Sequence, residues 1–254
     1  MSLELQRVIA DLVNVCHRVY DKGFVSATDG NISARLENGN ILATPTAMNK
    51  GMVSPDDLVI VDPSGKLVSG LKRPSTELQM HLFIYRERPD VQAVVHAHPP
   101  YATGFATARI PLTECLFPEV IVGLGGVPLA NYATPSTSEV VESIAPFVRK
   151  ANAILLANHG VVTYGADPLD AYFKMEKVEH AAHITLVARL LGGEKVLSES
   201  DIEKLRKISG ESYGKDFEMK VACTPSTEEK KDSSLYTEEE LRAIVREVME
   251  RLGA

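Results

Sequence analysis

The sequence predicts an α/β fold in one large domain followed by an appendage. Three observations predict it. Stretches with apolar residues at helical spacing alternate with short apolar runs bounded by Gly, Pro, Asn and Asp. The chain has 254 residues, 44% hydrophobic and 24% charged, enough for a sizeable core. From residue 210 the pattern lapses into "GESYGKDFEMKVACTPSTEEKKDSS", which is polar, charged and aperiodic, before one last amphipathic stretch. The expected division is a folded domain over 1–209, a polar linker over 210–235 and a helix over 236–254.

The elements follow in order. Leu5, Val8, Ile9, Leu12, Val13, Cys16, Val19 and Tyr20 repeat at helical spacing, and Gly23 closes that helix. Residues 24–70 read as short strands between turns. Ser75, after Pro74, is expected to cap a helix over "TELQMHLFIYRERPD", with Glu77 in its first turn. "VQAVVHAHPP" is a strand stopped by two prolines, and "YATGFATARI" is helical. "EVIVGLGGVPLANYATP" is turn-rich, and "TSEVVESIAPFVRK" is a helix. "NAILLANHG" is a buried strand ending at Gly160. A long helix then runs to Gly192, with Asp167 as its cap and Pro168 in its first position.

Charge and cysteine usage narrow the functional classes. The net charge of −7 argues against a nucleic-acid binder. No apolar run approaches the roughly 20 residues that span a bilayer. The amino-terminal stretch has acidic residues and no signal-type apolar core, so a cytoplasmic location is expected. Cys16, Cys115 and Cys223 are odd in number and scattered, and read as reduced thiols.

Two sets of residues carry chemistry. His96 and His98 lie one residue apart at a strand end, so both imidazoles fall on one face with Val94. A zinc-type site needs three or four such donors on rigid elements. His159 in "LLANHGVV" is the best third histidine, and Glu77 the best carboxylate. His17 and His81 sit within helices and fit less well. His180 and His183 have a legitimate ligand spacing of their own. The second set is the small polar turns "TDGNIS", "ATPTA" and "RPSTE", whose backbone N–H groups and hydroxyls suit an anion. Thr28, Gly30, Asn31, Thr46, Ser75 and Thr76 are the cradle residues, and the last two adjoin Glu77.

These blocks, in this order, resemble a known family. "GNISARL", "TPT" followed by "SPDDLVIVD", "PSTELQMHLFIYRERPDVQAVVHAHPPYATGFA", "NYATPSTSE" and "LLANHGVV" are similar to the class II aldolase/adducin-head family over residues 5–210. The resemblance implies a three-layer α/β/α sandwich around a mostly antiparallel sheet. It implies a fourfold-symmetric (C4) homotetramer with active sites at subunit interfaces. It also implies retro-aldol cleavage of a ketose 1-phosphate to dihydroxyacetone phosphate and an aldehyde. The implied metal is one divalent ion per chain, zinc first, on His96, His98 and His159. Glu77 is implied as both the resting ligand and the acid/base. Gly30, Asn31, Thr46, Ala47, Ser75 and Thr76 are implied to bind the phosphate. Two departures stand out. Ala47 occupies a position where the family's aldolases carry glycine, a steric problem if that turn needs positive φ. The tyrosine acid that the family draws from a neighbouring subunit falls near Phe117, which cannot donate a proton, leaving Glu119, Tyr132 or Tyr213 as substitutes. An epimerase, a dehydratase, another deoxypentulose-phosphate aldolase or a non-catalytic adducin-like head would share the same frame.

The tail adds a partner. Thr237 and Glu240 have capping-box spacing, and Leu241, Ile244, Val245, Val248, Met249 and Leu252 form one apolar stripe. A polar linker followed by a short amphipathic helix resembles the peptides that target enzymes to bacterial microcompartment shells. Docking on its own or a neighbouring subunit is the plainer reading.

Overall fold

The structure, a computed structural model, describes residues 3–213. Eight strands form one sheet: β1 (Asn31–Arg35), β2 (Ile41–Ala43), β3 (Val59–Val61), β4 (Leu67–Ser69), β5 (Ala93–Ala97), β6 (Leu129–Ala130), β7 (Ala153–Leu156) and β8 (Gly160–Gly165). Their order is β4-β3-β2-β1-β5-β8-β7-β6. Every pairing is antiparallel except β6 with β7.

Helices cover both faces. On one lie α1 (Leu3–Asp21), α3 (Pro100–Thr107) and α6 (Pro168–Leu190), and on the other α2 (Leu78–Glu87) and α5 (Ser138–Val148). Alternation along the strands decides which side chain meets which layer. In β5, Ala93, Val95 and Ala97 pack toward α1, α3 and α6, while Val94 packs toward α2 and α5. The α/β/α sandwich expected from the sequence is therefore present. β5 lies mid-sheet between β1 and β8, so both of its faces are buried, and a run that is small or apolar except for His96 suits it.

Several boundaries differ from the sequence reading. Ser75 does not cap α2: Glu77 occupies that place, and the Ser75 hydroxyl accepts the Glu77 N–H instead. Gly160 begins β8 rather than ending β7, which leaves His159 in the turn between them. The segment read as turns contains α4 (Pro118–Gly123) and β6. α7 (Glu199–Tyr213) runs past Gly210, where the linker was expected to begin. Asp167 does cap α6, accepting the Asp170 N–H at 2.7 Å. Cys16 is a buried free thiol, but Cys115 is disulfide-bonded, which corrects the reading of three reduced thiols. The helix expected over 236–254 and most of the linker lie outside the described residues.

Candidate metal centre

The site forms where β5 ends. Pro99 has no N–H to continue the ladder, and the His98 N–H is redirected to the Phe24 carbonyl at 2.8 Å. This brings the loop after α1 alongside the two histidines. His159 arrives from the β7–β8 turn on the neighbouring strand pair. The donor atoms of His96, His98 and His159 all lie within 4.8 Å of one another, and no other such group of His, Cys, Asp or Glu occurs among the described residues.

Hydrogen bonding leaves nitrogen lone pairs turned inward. His96 Nδ1 donates to the Val161 carbonyl at 2.9 Å, which leaves its Nε2 unprotonated. That Nε2 faces His98 Nε2 at 3.3 Å. Two ligands bound to one tetrahedral ion at ordinary zinc–nitrogen lengths stand about 3.4 Å apart. Burial, with the neighbouring imidazoles, pushes His96 down to about 3, and burial with His159 also lowers His98. Both are therefore neutral imidazoles at physiological pH, the form that ligates. The donor set fits a divalent cation.

Glu77 completes the cluster. Its carboxylate lies 3.2 Å from His159 Nε2 and 3.5 Å from His96 Nε2, and it accepts the Asn31 Nδ2–H at 2.8 Å. Burial works against its ionisation. Interaction with the His96 imidazole, the hydrogen bonds from His159 and Asn31 and interaction with the His159 ring outweigh that and hold the carboxyl below the usual carboxylate range.

The polar turns meet in one place. Thr28, Asp29, Gly30, Asn31, Pro45, Thr46, Ala47, Ser75, Thr76, Glu77 and His98 enclose a cavity of about 240 Å³. An isolated pairing of Pro45 with Pro74, and the Thr46 N–H to Arg73 carbonyl bond at 2.9 Å, tie the second turn to the third. Gly30 has φ +71°, and a Cβ there would lie 2.8 Å from the His96 carbonyl, so only glycine fits. Ala47 also has positive φ, +53°, the strained conformation that its replacement of glycine threatened. Asn31 shares the wall of this cavity but spends its amide on Glu77.

The other expected residues lie elsewhere. Phe117 packs, half-buried, against the core, and Glu119 and Tyr132 are exposed; none of the three lines the cavity. Tyr213 ends α7. His180 and His183 are exposed on α6, with His183 stacked on Tyr101. His17 bonds the Val53 carbonyl.

Two features escaped the sequence reading. His81 and Tyr85 follow Glu77 at intervals of four on α2, and Ser33 follows Asn31 at an interval of two on β1. The Ser33 hydroxyl bonds His81 Nδ1 at 2.7 Å and the Tyr85 hydroxyl at 2.8 Å, so a buried polar seam runs behind the Asn31–Glu77 pair. Matching the two periods would have suggested it. The second is Lys50, 1% exposed, for which no sequence signal existed.

The sequence profile described as the Class II Aldolase and Adducin N-terminal domain matches residues 10–186. The chain belongs to this family. A solved structure of L-fuculose 1-phosphate aldolase superposes on this class II aldolase chain with a TM-score of 0.74 at 31% identity, covering 82% of this chain and 96% of the other. The 5-deoxy-D-ribulose 1-phosphate aldolase of Bacillus thuringiensis is 31% identical over 83% of this chain and 98% of its own. The 3-oxo-tetronate 4-phosphate decarboxylase of Pectobacterium atrosepticum is 34% identical over 79% and 93%. The family shows a lyase that uses a divalent metal, and the three histidines are the group in this class II aldolase chain that could bind it.

Proposed function

We propose that this enzyme cleaves a ketose 1-phosphate, L-fuculose 1-phosphate by first choice, into dihydroxyacetone phosphate and an aldehyde such as lactaldehyde. The observation that carries this reading is the placement of Glu77. Its carboxylate lies within reach of two of the three histidines and in the wall of the cavity that Thr46, Ser75 and Thr76 share.

The chain's own residues divide the work. Backbone N–H groups and hydroxyls at Gly30, Thr46, Ala47, Ser75 and Thr76 hold the phosphate and so fix the register of the sugar. A divalent cation, zinc by preference, held by His96, His98 and His159 supplies a Lewis acid for the charge that develops on the substrate oxygens. When the C3–C4 bond breaks, its electron pair stays on the phosphate half; Glu77, ionised at rest, takes the C3-hydroxyl proton as the substrate binds and delivers it to C3, and the proton that leaves the C4 hydroxyl makes good the one lost from the C3 oxygen. The proton of the C4 hydroxyl must leave to another group. Phe117, Glu119 and Tyr132 lie outside the cavity, so we assign that role to a residue of a neighbouring subunit in a C4 tetramer.

A 5-deoxypentulose 1-phosphate is the second reading, favoured by the length of the Bacillus thuringiensis match. It differs from the first only at the aldehyde end. Decarboxylation of a 3-oxo acid phosphate would leave a comparable carbanion on the same frame. We place the enzyme in the cytoplasm, with 236–254 as a docking helix for a microcompartment shell protein, on the strength of the sequence pattern alone. A coupled assay for dihydroxyacetone phosphate over a panel of ketose 1-phosphates tests the reaction. Release of carbon dioxide from a 3-oxo acid phosphate, with no dihydroxyacetone phosphate from any ketose, would replace it.

A further inference from the structure

Among the described residues, no lysine or arginine side chain lines the proposed phosphate cavity. Its lining includes two carboxylates, Asp29 and Glu77. A phosphate ester brings up to two further negative charges. Hydroxyls and backbone N–H groups orient such an ion, but two fixed carboxylates oppose it.

A positive charge lies just behind the wall. Lys50 follows the second turn and is 1% exposed. Its Nζ donates to the Thr28 carbonyl at 3.1 Å and to the Met48 carbonyl at 2.6 Å. Those carbonyls belong to two of the loops that make the cavity, one carrying Thr28 and Gly30, the other Thr46 and Ala47. Among the described residues no ion pair includes Lys50; it interacts by charge with Cys16, Asp29 and Glu77, and its own charge acts on His98. An ammonium buried against two neutral acceptors is costly unless a counter-ion completes it. Burial also lowers its proton affinity, which an arriving anion would restore.

We propose that Lys50 is a specificity residue: it clamps the two loops through Thr28 and Met48 and supplies the counter-charge that makes this cavity select a phosphate dianion over an uncharged sugar. The proposal rests on the phosphate reading of the cavity. It assigns Lys50 no contact with the reacting carbons.

The test uses the full-length, metal-loaded protein with inorganic phosphate as the probe. Calorimetry gives the dissociation constant for wild type, Lys50→Gln, Lys50→Met and Lys50→Arg. The expected result is at least tenfold weaker binding in the Gln and Met variants, bound metal unchanged, and recovery to within about threefold in the Arg variant. A second readout separates charge from scaffolding. By phosphorus NMR, the bound phosphate should lose its second proton at lower pH in wild type than in Lys50→Gln, because a nearby cation favours the dianion. A purely structural lysine would weaken binding without moving that titration. If the Gln and Met variants do not fold, the Lys50 ammonium nitrogen resonance, assigned by its loss in Lys50→Arg, decides: it should shift when phosphate is added to wild type. Phosphate binding in Lys50→Gln within twofold of wild type, an unmoved titration or an unmoved resonance overturns the proposal. Wild type that binds no phosphate overturns the cradle itself, and this inference with it.

Discussion

Gly160→Ala is expected to damage the metal centre through one methyl group. A Cβ at Gly160 would lie 2.5 Å from the Ala97 carbonyl oxygen and 2.5 Å from His98 Cδ2. Ordinary contact begins at 3.4 Å, so the shortfall is about 0.9 Å on each. The Ala97 carbonyl cannot retreat, because β5 and β8 are paired there, Ala97 opposite Val161. The backbone at residue 160 must therefore shift away from Ala97, and the His98 ring must move with it. Overpacking of this kind costs about 1–3 kcal/mol in the metal-free protein. Ligand distances tolerate only about 0.2 Å, so the displaced ring should also weaken metal affinity, on the order of 10- to 100-fold. By mass action that removes a further 1.4–2.7 kcal/mol, approximately, of the stabilisation the metal gives. Urea unfolding with saturating zinc and with chelator, on both proteins, reads the two terms separately. The variant should lose more in zinc than in chelator. Equal losses in both conditions, or zinc affinity within twofold of wild type, would refute the argument that this glycine makes room for His98.

Three other outcomes follow from the same geometry. Glu77→Gln preserves side-chain shape and the acceptor for Asn31 but cannot carry a proton, so kcat should fall about 10²–10⁴-fold with metal content retained; activity within fivefold of wild type would remove Glu77 from proton transfer. Ala47→Gly should relieve a residue held at φ +53° and stabilise the protein by about 0.5–1 kcal/mol, after allowing for the looser unfolded chain; a lower urea midpoint would contradict that. Burial pushes His81 down to about 4 from an ordinary 6.5, with Glu77 opposing the shift only in part. The unfolded chain therefore takes up its proton first, and stability present above pH 6.5 drains away as pH falls toward 4, by on the order of 3 kcal/mol. His81→Gln should flatten that part of the stability profile, and an unchanged slope between pH 6.5 and 4 would show that His81 is not its source.

The sequence alone determined most of the helices and strands and singled out the histidines of the candidate metal centre, because both depend on short-range periodicity. Helical spacing marked α1, α5 and α6. The two-residue period placed His96 and His98 together, and the glycine after His159 marked a strand connection. Residue type singled out Glu77 and the three turns; the resemblance added their roles, Ala47 and the three-layer architecture. What the sequence left open depends on contacts distant in the chain. Ser75 reads as a cap by residue type, yet the turn that binds it to Glu77 delays the helix by two residues. Gly160 reads as the end of a strand, yet it opens β8 because its α-carbon faces the Ala97 carbonyl, 63 residues earlier in the chain. The strain at Ala47 is a backbone angle that no residue name reveals. Lys50 looks like any surface lysine in "MNKGM". Only the packing of the short 3-10 turn Lys50–Met52 against α1 and the two loops makes it a buried charge, since burial is a property of what the rest of the chain brings to a residue.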